Sequence, residues 1–459
     1  MESQERKMQL LGTTPIVKAL LAMGLPTMLG MMINALYNIV DAFFVGGLGE
    51  SQTGAISVAF PLGQFVVGLG LLFGNGAASY ISRLLGRGDK EKADNVASTA
   101  IYSGLVVGAV FIIFSVVFIK PLLKVLGATD SIMPYAVMYG SIYIGSSIFN
   151  VFNVTMNNIV TSEGAAKISM AALLTGAILN TILDPIFISV ADLGVTGAAI
   201  ATAISQCVST IVYLIYIFSK KSTFSFSIKK CKYSKDIVTE ILKIGVPTLV
   251  FQLLTSLSIT FINNQAKQYG DAIIAAMGVV VRITALGTSM IFGFIKGFQP
   301  IAGFSYGTKN YKRLNEATKY SIILSTAFCV VLGVIMISCP AQLIALFTKG
   351  NADMINAGAK SLRANGISIM VFGFYTVYSS LFLALGKAKG GLFLGVCRQG
   401  ICFIPIIFTF PLFWGLNGIL YAQPIADGIA AIIAAIMAIF LHKQLRKERN
   451  QYTNINIEL

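Results

Sequence analysis

The sequence predicts an all-α polytopic membrane protein. Its twelve transmembrane helices form two six-helix lobes related by a pseudo-two-fold axis along the membrane normal. Three observations carry this reading. Apolar residues make up 56% of the 459-residue chain and charged ones only 12%, about half the charged share of a soluble globular protein. Apolar runs of eighteen or more residues recur along the whole length, each long enough to cross a bilayer as a helix. The chain also repeats itself: a shift of about 221 residues lays Gly24-Leu25-Pro26-Thr27 on Gly245-Val246-Pro247-Thr248, Phe73 on Phe294, Gly76 on Gly297, Gly86 on Gly307, and Gly194-Val195-Thr196-Gly197 on Gly415-Leu416-Asn417-Gly418. Six spans per half is an even number, so both halves enter from the same side, as parallel repeats do.

In order, the spans fall at about 16–44, 53–80, 95–119, 133–160, 168–190 and 196–218, then 237–264, 272–304, 317–340, 356–385, 391–412 and 416–441. The runs lack the ten-residue alternation of a membrane barrel. Met1 to Lys7 is charged but leads into a run reaching Phe44, too long for a cleavable signal core. The most hydrophilic internal stretch holds Lys220, Lys221, Lys229, Lys230, Lys232 and Lys235. It divides the chain into an amino-terminal lobe 1–218, a basic linker 219–236, a carboxy-terminal lobe 237–441 and a tail 442–459. Breakers inside spans are frequent: Pro26, Pro61, Pro185, Pro247, Pro300, Pro405, Pro411 and Pro424. Each removes a backbone donor. Pro185 directly follows Asp184, so the fifth span is expected to bend at its carboxylate.

The net charge of +15 raises nucleic acid as a partner, but the distribution argues for the membrane instead. With both ends inside, the inner segments hold about 25 lysines and arginines. The outer ones hold about six, namely Lys120, Lys124, Lys267, Lys349, Lys360 and Arg363. The expectation is a multi-pass protein of a bacterial-type plasma membrane, monomeric, with both termini in the cytoplasm and no nucleic-acid partner. The six cysteines show no CxxC spacing and read as packing residues. The single histidine, His442, follows the last span. No histidine metal site or intramembrane catalytic constellation is expected, and hence neither an enzyme nor a cofactor.

The polar residues at depth carry the functional reading. Asn34, Tyr37, Asn38 and Asp41 share one helix face by their i, i+3, i+4, i+7 spacing. Asn150, Asn153 and Asn157 do so on the fourth span, Asn180 and Asp184 on the fifth, and Thr202, Ser205, Gln206 and Ser209 on the sixth. A carboxylate at membrane depth costs roughly 2.5–3.5 kcal/mol on insertion scales. Such a group faces a bundle interior or a wet cavity and marks an ion or proton path. Buried Asn, Ser and Thr also serve as contacts between helices, the expectation for Ser205, Gln206 and Ser209. Under the repeat, Asp41 falls on Ile262, and Asp184 near Pro405 and Ile406. Duplication kept the prolines and glycines and not the acids, so a site in the first half alone is expected. Carboxyls removed from water and set side by side hold a shared proton tightly and titrate as one site. Oxygen ligands of this kind also suit a hard monovalent cation. In the second half Arg282, Lys296, Arg398 and Asp427 lie at or near depth, with Asp427 expected to partner a basic residue.

These residues resemble the multidrug and toxic compound extrusion family of secondary transporters over nearly the whole chain. The resemblance rests on Gly24-Leu25-Pro26 with Asp41, on Ser82-Arg83-Leu84-Leu85-Gly86, on Asn180 to Pro185, and on Gly297-Phe298-Gln299-Pro300-Ile301 followed by Tyr306-Gly307. It implies two six-helix lobes around a V-shaped cleft, exporting amphipathic organic cations against entry of H+ or Na+. In the branch with an amino-terminal coupling site, it implies coupling at Asp41, Asn180, Asp184 and Thr202, with Tyr37 and Asn157 nearby; the first four would also be the Na+ ligands. A second branch places acids in the carboxy-terminal lobe. This chain has Gln252 and Thr255 in its seventh helix and no acid in the core of its tenth. Candidates for the substrate cleft are Met31, Asn34, Asn38 and Asn153 from the first half, with Gln252 and Lys296 from the second. A lipid-linked precursor flippase of similar architecture is the alternative, with Lys296, Arg282 and Arg398 as the cations available for a pyrophosphate.

Overall fold

Lipid offers the backbone no hydrogen-bond partner, so each apolar run closes its bonds internally as a helix. The computed structural model describes residues 2–46, 48, 50–347 and 352–455. Lys349, counted above among the outer basic residues, and the last four residues of the tail lie outside them. The first half comprises α1 (Glu2–Gly12), α2 (Ile16–Gly46), α3 (Glu50–Gly86), α4 (Lys90–Val117), α5 (Ile119–Val125), α6 (Met133–Gly145), α7 (Ser147–Ser162), α8 (Ala166–Pro185) and α9 (Gly194–Phe218). The second comprises α10 (Lys235–Ala266), α11 (Asp271–Gly307), α12 (Tyr311–Ser338), α13 (Pro340–Ala345), α14 (Ala352–Ala384), α15 (Ala388–Val396), α16 (Phe403–Trp414) and α17 (Leu416–Ile455).

Eleven crossings among the described residues are long and apolar enough to span a bilayer. The twelfth, expected at 133–160, is built from α6 and α7 stacked end to end. The break follows Gly145, where Ser146 and Ser147 turn their hydroxyls back onto the carbonyls of Tyr143 and Ile144. Such back-bonding competes with the regular ladder. The bend expected at Pro185 takes the form of a π-helical turn, Ile186–Val190. The last helix runs past the expected end at 441 to Ile455, and its Glu448 accepts from Lys387 at 2.9 Å and Tyr306 at 3.1 Å.

The glycines that the duplication preserved are where the lobes meet. α2 packs along α11, and α3 along α10. Gly297 lies against the backbone of Gly24; the symmetry-related Gly76 and Gly245 lie against the Ile241 and Leu72 carbonyls. Gly86 and Gly307, equivalent under the repeat, face each other beside the pseudo-axis. The turns that follow are also equivalent. Asp89 caps α4 and Asn310 caps α12. The residue before each cap has positive φ, 80° at Gly88 and 59° at Lys309. Glycine takes that conformation without strain, whereas lysine does not.

This seam lies at one end of the molecule, the end that carries the basic loops. There Arg83 on α3 pairs with Glu240 on α10 at 2.8 Å. Lys92 and Tyr80 engage Asp236, and Arg313 donates to the carbonyls of Leu10, Leu11 and Thr14. The linker is strapped along the amino-terminal lobe rather than looping free. Asp94 accepts from Ser225 and Lys230. Buried Glu163 accepts from Tyr216, Ser222 and the Thr223 amide, with Lys7 at 3.4 Å. Burial lowers the Lys7 ammonium below the usual lysine range against the pull of Glu163.

Candidate cation site and interlobe cleft

The first-half acids come together. α2 delivers Asp41 and α8 delivers Asp184 one residue before Pro185, close enough for each carboxyl group to act on the other. Asp184 is fully buried and Asn180 nearly so. Asn180 Nδ2 donates to Asp184 Oδ1 at 3.1 Å, which leaves Asn180 Oδ1 and Asp184 Oδ2 buried without a donor. Two unit charges 4 Å apart repel by roughly 4 kcal/mol at an effective dielectric of 20. Two carboxylates this near each other, with orphaned oxygens beside them, have the chemistry of an acceptor for one proton or one small cation. Among the described residues no group of three or more His, Cys, Asp or Glu side chains is placed to hold a metal ion.

Tyr37, on the same face as Asp41, lies within electrostatic reach of both acids. Tyr139 of α6 also lies within reach of both acids and Tyr143 within reach of Asp41, their rings stacked with centroids 5.4 Å apart. Neither was singled out from the sequence. The available signal was the Tyr135, Tyr139, Tyr143 spacing of i, i+4, i+8, which sets three phenols on one helix face. Thr202 is half-buried on α9; among the described residues no hydrogen bond joins it to the acids.

Asn157 is not at this site. Its Nδ2 donates to Ser169 Oγ at 2.6 Å and Tyr213 Oη at 3.3 Å, and its Oδ1 accepts from Lys296 at 3.0 Å. Ser169 lies ~22 Å along α8 from Asp184 at 1.5 Å per residue. Asn157 therefore serves the seam between lobes, because Lys296 reaches it from α11. Asn153, expected in the cleft, is consumed between α7 and α9: it donates to the Gln206 carbonyl and side chain at 2.8 and 2.9 Å and accepts from Thr210 at 2.9 Å. Gln252 bonds Gln64 across the lobes. Asn38 is exposed and donates to the Asn34 carbonyl at 2.6 Å, while Asn34 and Met31 are partly exposed.

These placements fit the V-shaped cleft that the resemblance implies. The lobes touch from the basic-loop end as far as Lys296–Asn157 and Gln252–Gln64, whereas Asn38 beyond is exposed. In the second lobe Asp427 finds its expected partner. Arg398 Nε and Nη2 donate to its two oxygens at 2.8 and 3.2 Å, Gln423 adds a bond at 2.7 Å, and the Phe372 ring lies 4.6 Å from the guanidinium. This ion pair is closed on itself, with both Asp427 oxygens taken up by Arg398 and Gln423.

The comparisons agree with this architecture. The MatE family model matches residues 26–186 and 247–409. The chain is 29% identical to the multidrug export protein MepA of Staphylococcus aureus strain MRSA252, over 95% of this chain and 97% of that protein. It is equally identical to the MepA of Staphylococcus saprophyticus, over 95% and 96%. A solved multidrug resistance MATE family transporter of the MOP superfamily, in an outward-facing conformation, superposes with a TM-score of 0.92. It is 29% identical, covering 96% of this chain and 99% of that one. With the family model matching most of both lobes, the chain belongs to the MatE family of multidrug and toxic compound extrusion transporters.

Proposed function

We propose that this chain is a multidrug efflux antiporter of the plasma membrane, exporting amphipathic organic cations in exchange for protons by alternating access. Its two lobes rock about the seam of duplicated glycines. The observation that carries the reading is the pairing of Asp41 with buried Asp184 beside the orphaned Asn180 Oδ1 and Asp184 Oδ2. A proton bridging the two carboxyls removes the repulsion and gives Asp184 Oδ2 a donor. Leaving, it restores the conflict, so occupancy of the site biases one lobe arrangement over the other. Differential affinity is the only way a ligand can do this. The basic-loop end faces the cytoplasm in this reading, as charge dictates, and the arrangement described is the one open to the outside. Oxygens of Asp41, Asn180, Asp184 and Thr202 are also chemically suited to Na+, the alternative coupling ion.

The test is ethidium efflux from proteoliposomes under an imposed proton gradient or an imposed sodium gradient. Uphill efflux under the proton gradient alone is expected. Efflux under the sodium gradient alone replaces the coupling ion, and downhill movement without any gradient dependence removes the antiport reading.

A further inference from the structure

Arg282 has no role in the site described. It sits on α11, on the face of Ala275, Gly278, Ala285, Ser289 and Lys296, residues spaced by three, four or seven. Along this face Lys296 reaches across to Asn157. Towards the other end the face opens: a Cβ on Gly278 would meet nothing within 4 Å, and Ala275, Arg282 and Ala285 are exposed. The level of Arg282 follows from the seam. Gly297 meets Gly24 and Gly293 meets Met28, an antiparallel register that brings Arg282 level with Asn38 and Ile39 of α2. Arg282 therefore stands on the carboxy-terminal wall of the open cleft, opposite the exposed Asn38. Among the described residues it makes no hydrogen bond, ion pair or ring contact. The acid nearest in level, Asp41, interacts with Asp184 of its own lobe.

We infer that Arg282 is a specificity-determining residue that binds the carboxylate of acid-bearing, zwitterionic amphipaths in the cleft. The inference rests on alternating access as proposed above. When the open end closes, the facing wall offers the guanidinium an amide at Asn38 and no free carboxylate. A guanidinium buried without an anion is costly. A substrate carboxylate removes that cost, and the planar fork of arginine fits a carboxylate with two parallel hydrogen bonds. Substrates carrying both a cationic aromatic body and an acid would then be favoured over their esters.

Rhodamine 110 and rhodamine 123 test this, because they share one ring system and differ by a methyl ester on the carboxyl group. Efflux of both is measured for the wild type, Arg282→Gln and Arg282→Lys. The ratio of rhodamine 110 to rhodamine 123 efflux is expected to fall about ten-fold in Arg282→Gln, through KM for the acid, and to recover in part in Arg282→Lys. An unchanged ratio, whether both dyes are unaffected or fall together, overturns the inference, as does a wild type that exports rhodamine 123 and not rhodamine 110. A wild type that exports neither dye nor ethidium sinks the antiporter reading itself.

Discussion

Adding one methyl group at Gly297 should push the transporter out of the arrangement described here. A Cβ at that position would lie 2.5 Å from Gly24 Cα and 2.5 Å from the Met23 carbonyl carbon, where ordinary contact begins at 3.4 Å. The obstruction is backbone on both sides, so no rotamer relieves it, and α2 and α11 must part by about 1 Å. Overpacking of this kind costs typically 1–3 kcal/mol. The cost applies only while the lobes meet at the basic-loop end. Gly297→Ala should therefore shift the balance towards opening there by about 5- to 150-fold. The control lies on the same helix: Gly278→Ala meets nothing within 4 Å, so it carries the change in helix propensity without the clash. Spin labels on Asp89 and Lys309, at the equivalent basic-end turns in a cysteine-free background, report the opening as a longer distance. Identical distance distributions for Gly297→Ala and Gly278→Ala would refute the view that the duplicated glycines are the contact the lobes must break.

Replacing either acid of the coupling site, Asp41→Asn or Asp184→Asn, should abolish ethidium efflux at unchanged membrane expression; normal efflux in one of them removes that residue from the mechanism. Glu240→Gln breaks the Arg83 pair, whose partners are 9% and 19% exposed. Discounted for solvent, its loss should favour basic-end opening by about 1 kcal/mol, roughly five-fold on the same spin-label distance. Asp427→Asn strands the Arg398 guanidinium and should cost about 3 kcal/mol, whereas the double change Arg398→Met, Asp427→Leu should recover most of it; thermal unfolding in detergent distinguishes the two. Asn157→Ala removes the acceptor of Lys296 and should loosen the seam while leaving proton uptake at the acids intact, read as basic-end distance against drug-free proton release.

Local physics settled a good part of this protein before any folding was considered. Lipid forces each apolar run into a helix, a 3.6-residue period sorts Tyr37 and Asp41 onto one face, and a kept glycine marks a place where another backbone comes close. The repeat accordingly exposed Gly24, Gly76, Gly86 and their twins, and the acids stood out because a lone carboxylate in hydrocarbon is expensive. What periodicity cannot give is the partner across the gap. Asn153, Asn157 and Asn34 look alike in sequence, yet one is spent between α7 and α9, one bridges the lobes to Lys296, and one borders open space. Tyr139 and Tyr143 come within reach of Asp41 only because folding brings α6 near α2, which no spacing along either stretch reveals. Asp427 found its basic partner only when folding brought Arg398 against it. Distances between helices depend on how whole surfaces interlock, a property of all the contacts together and of no single stretch of chain.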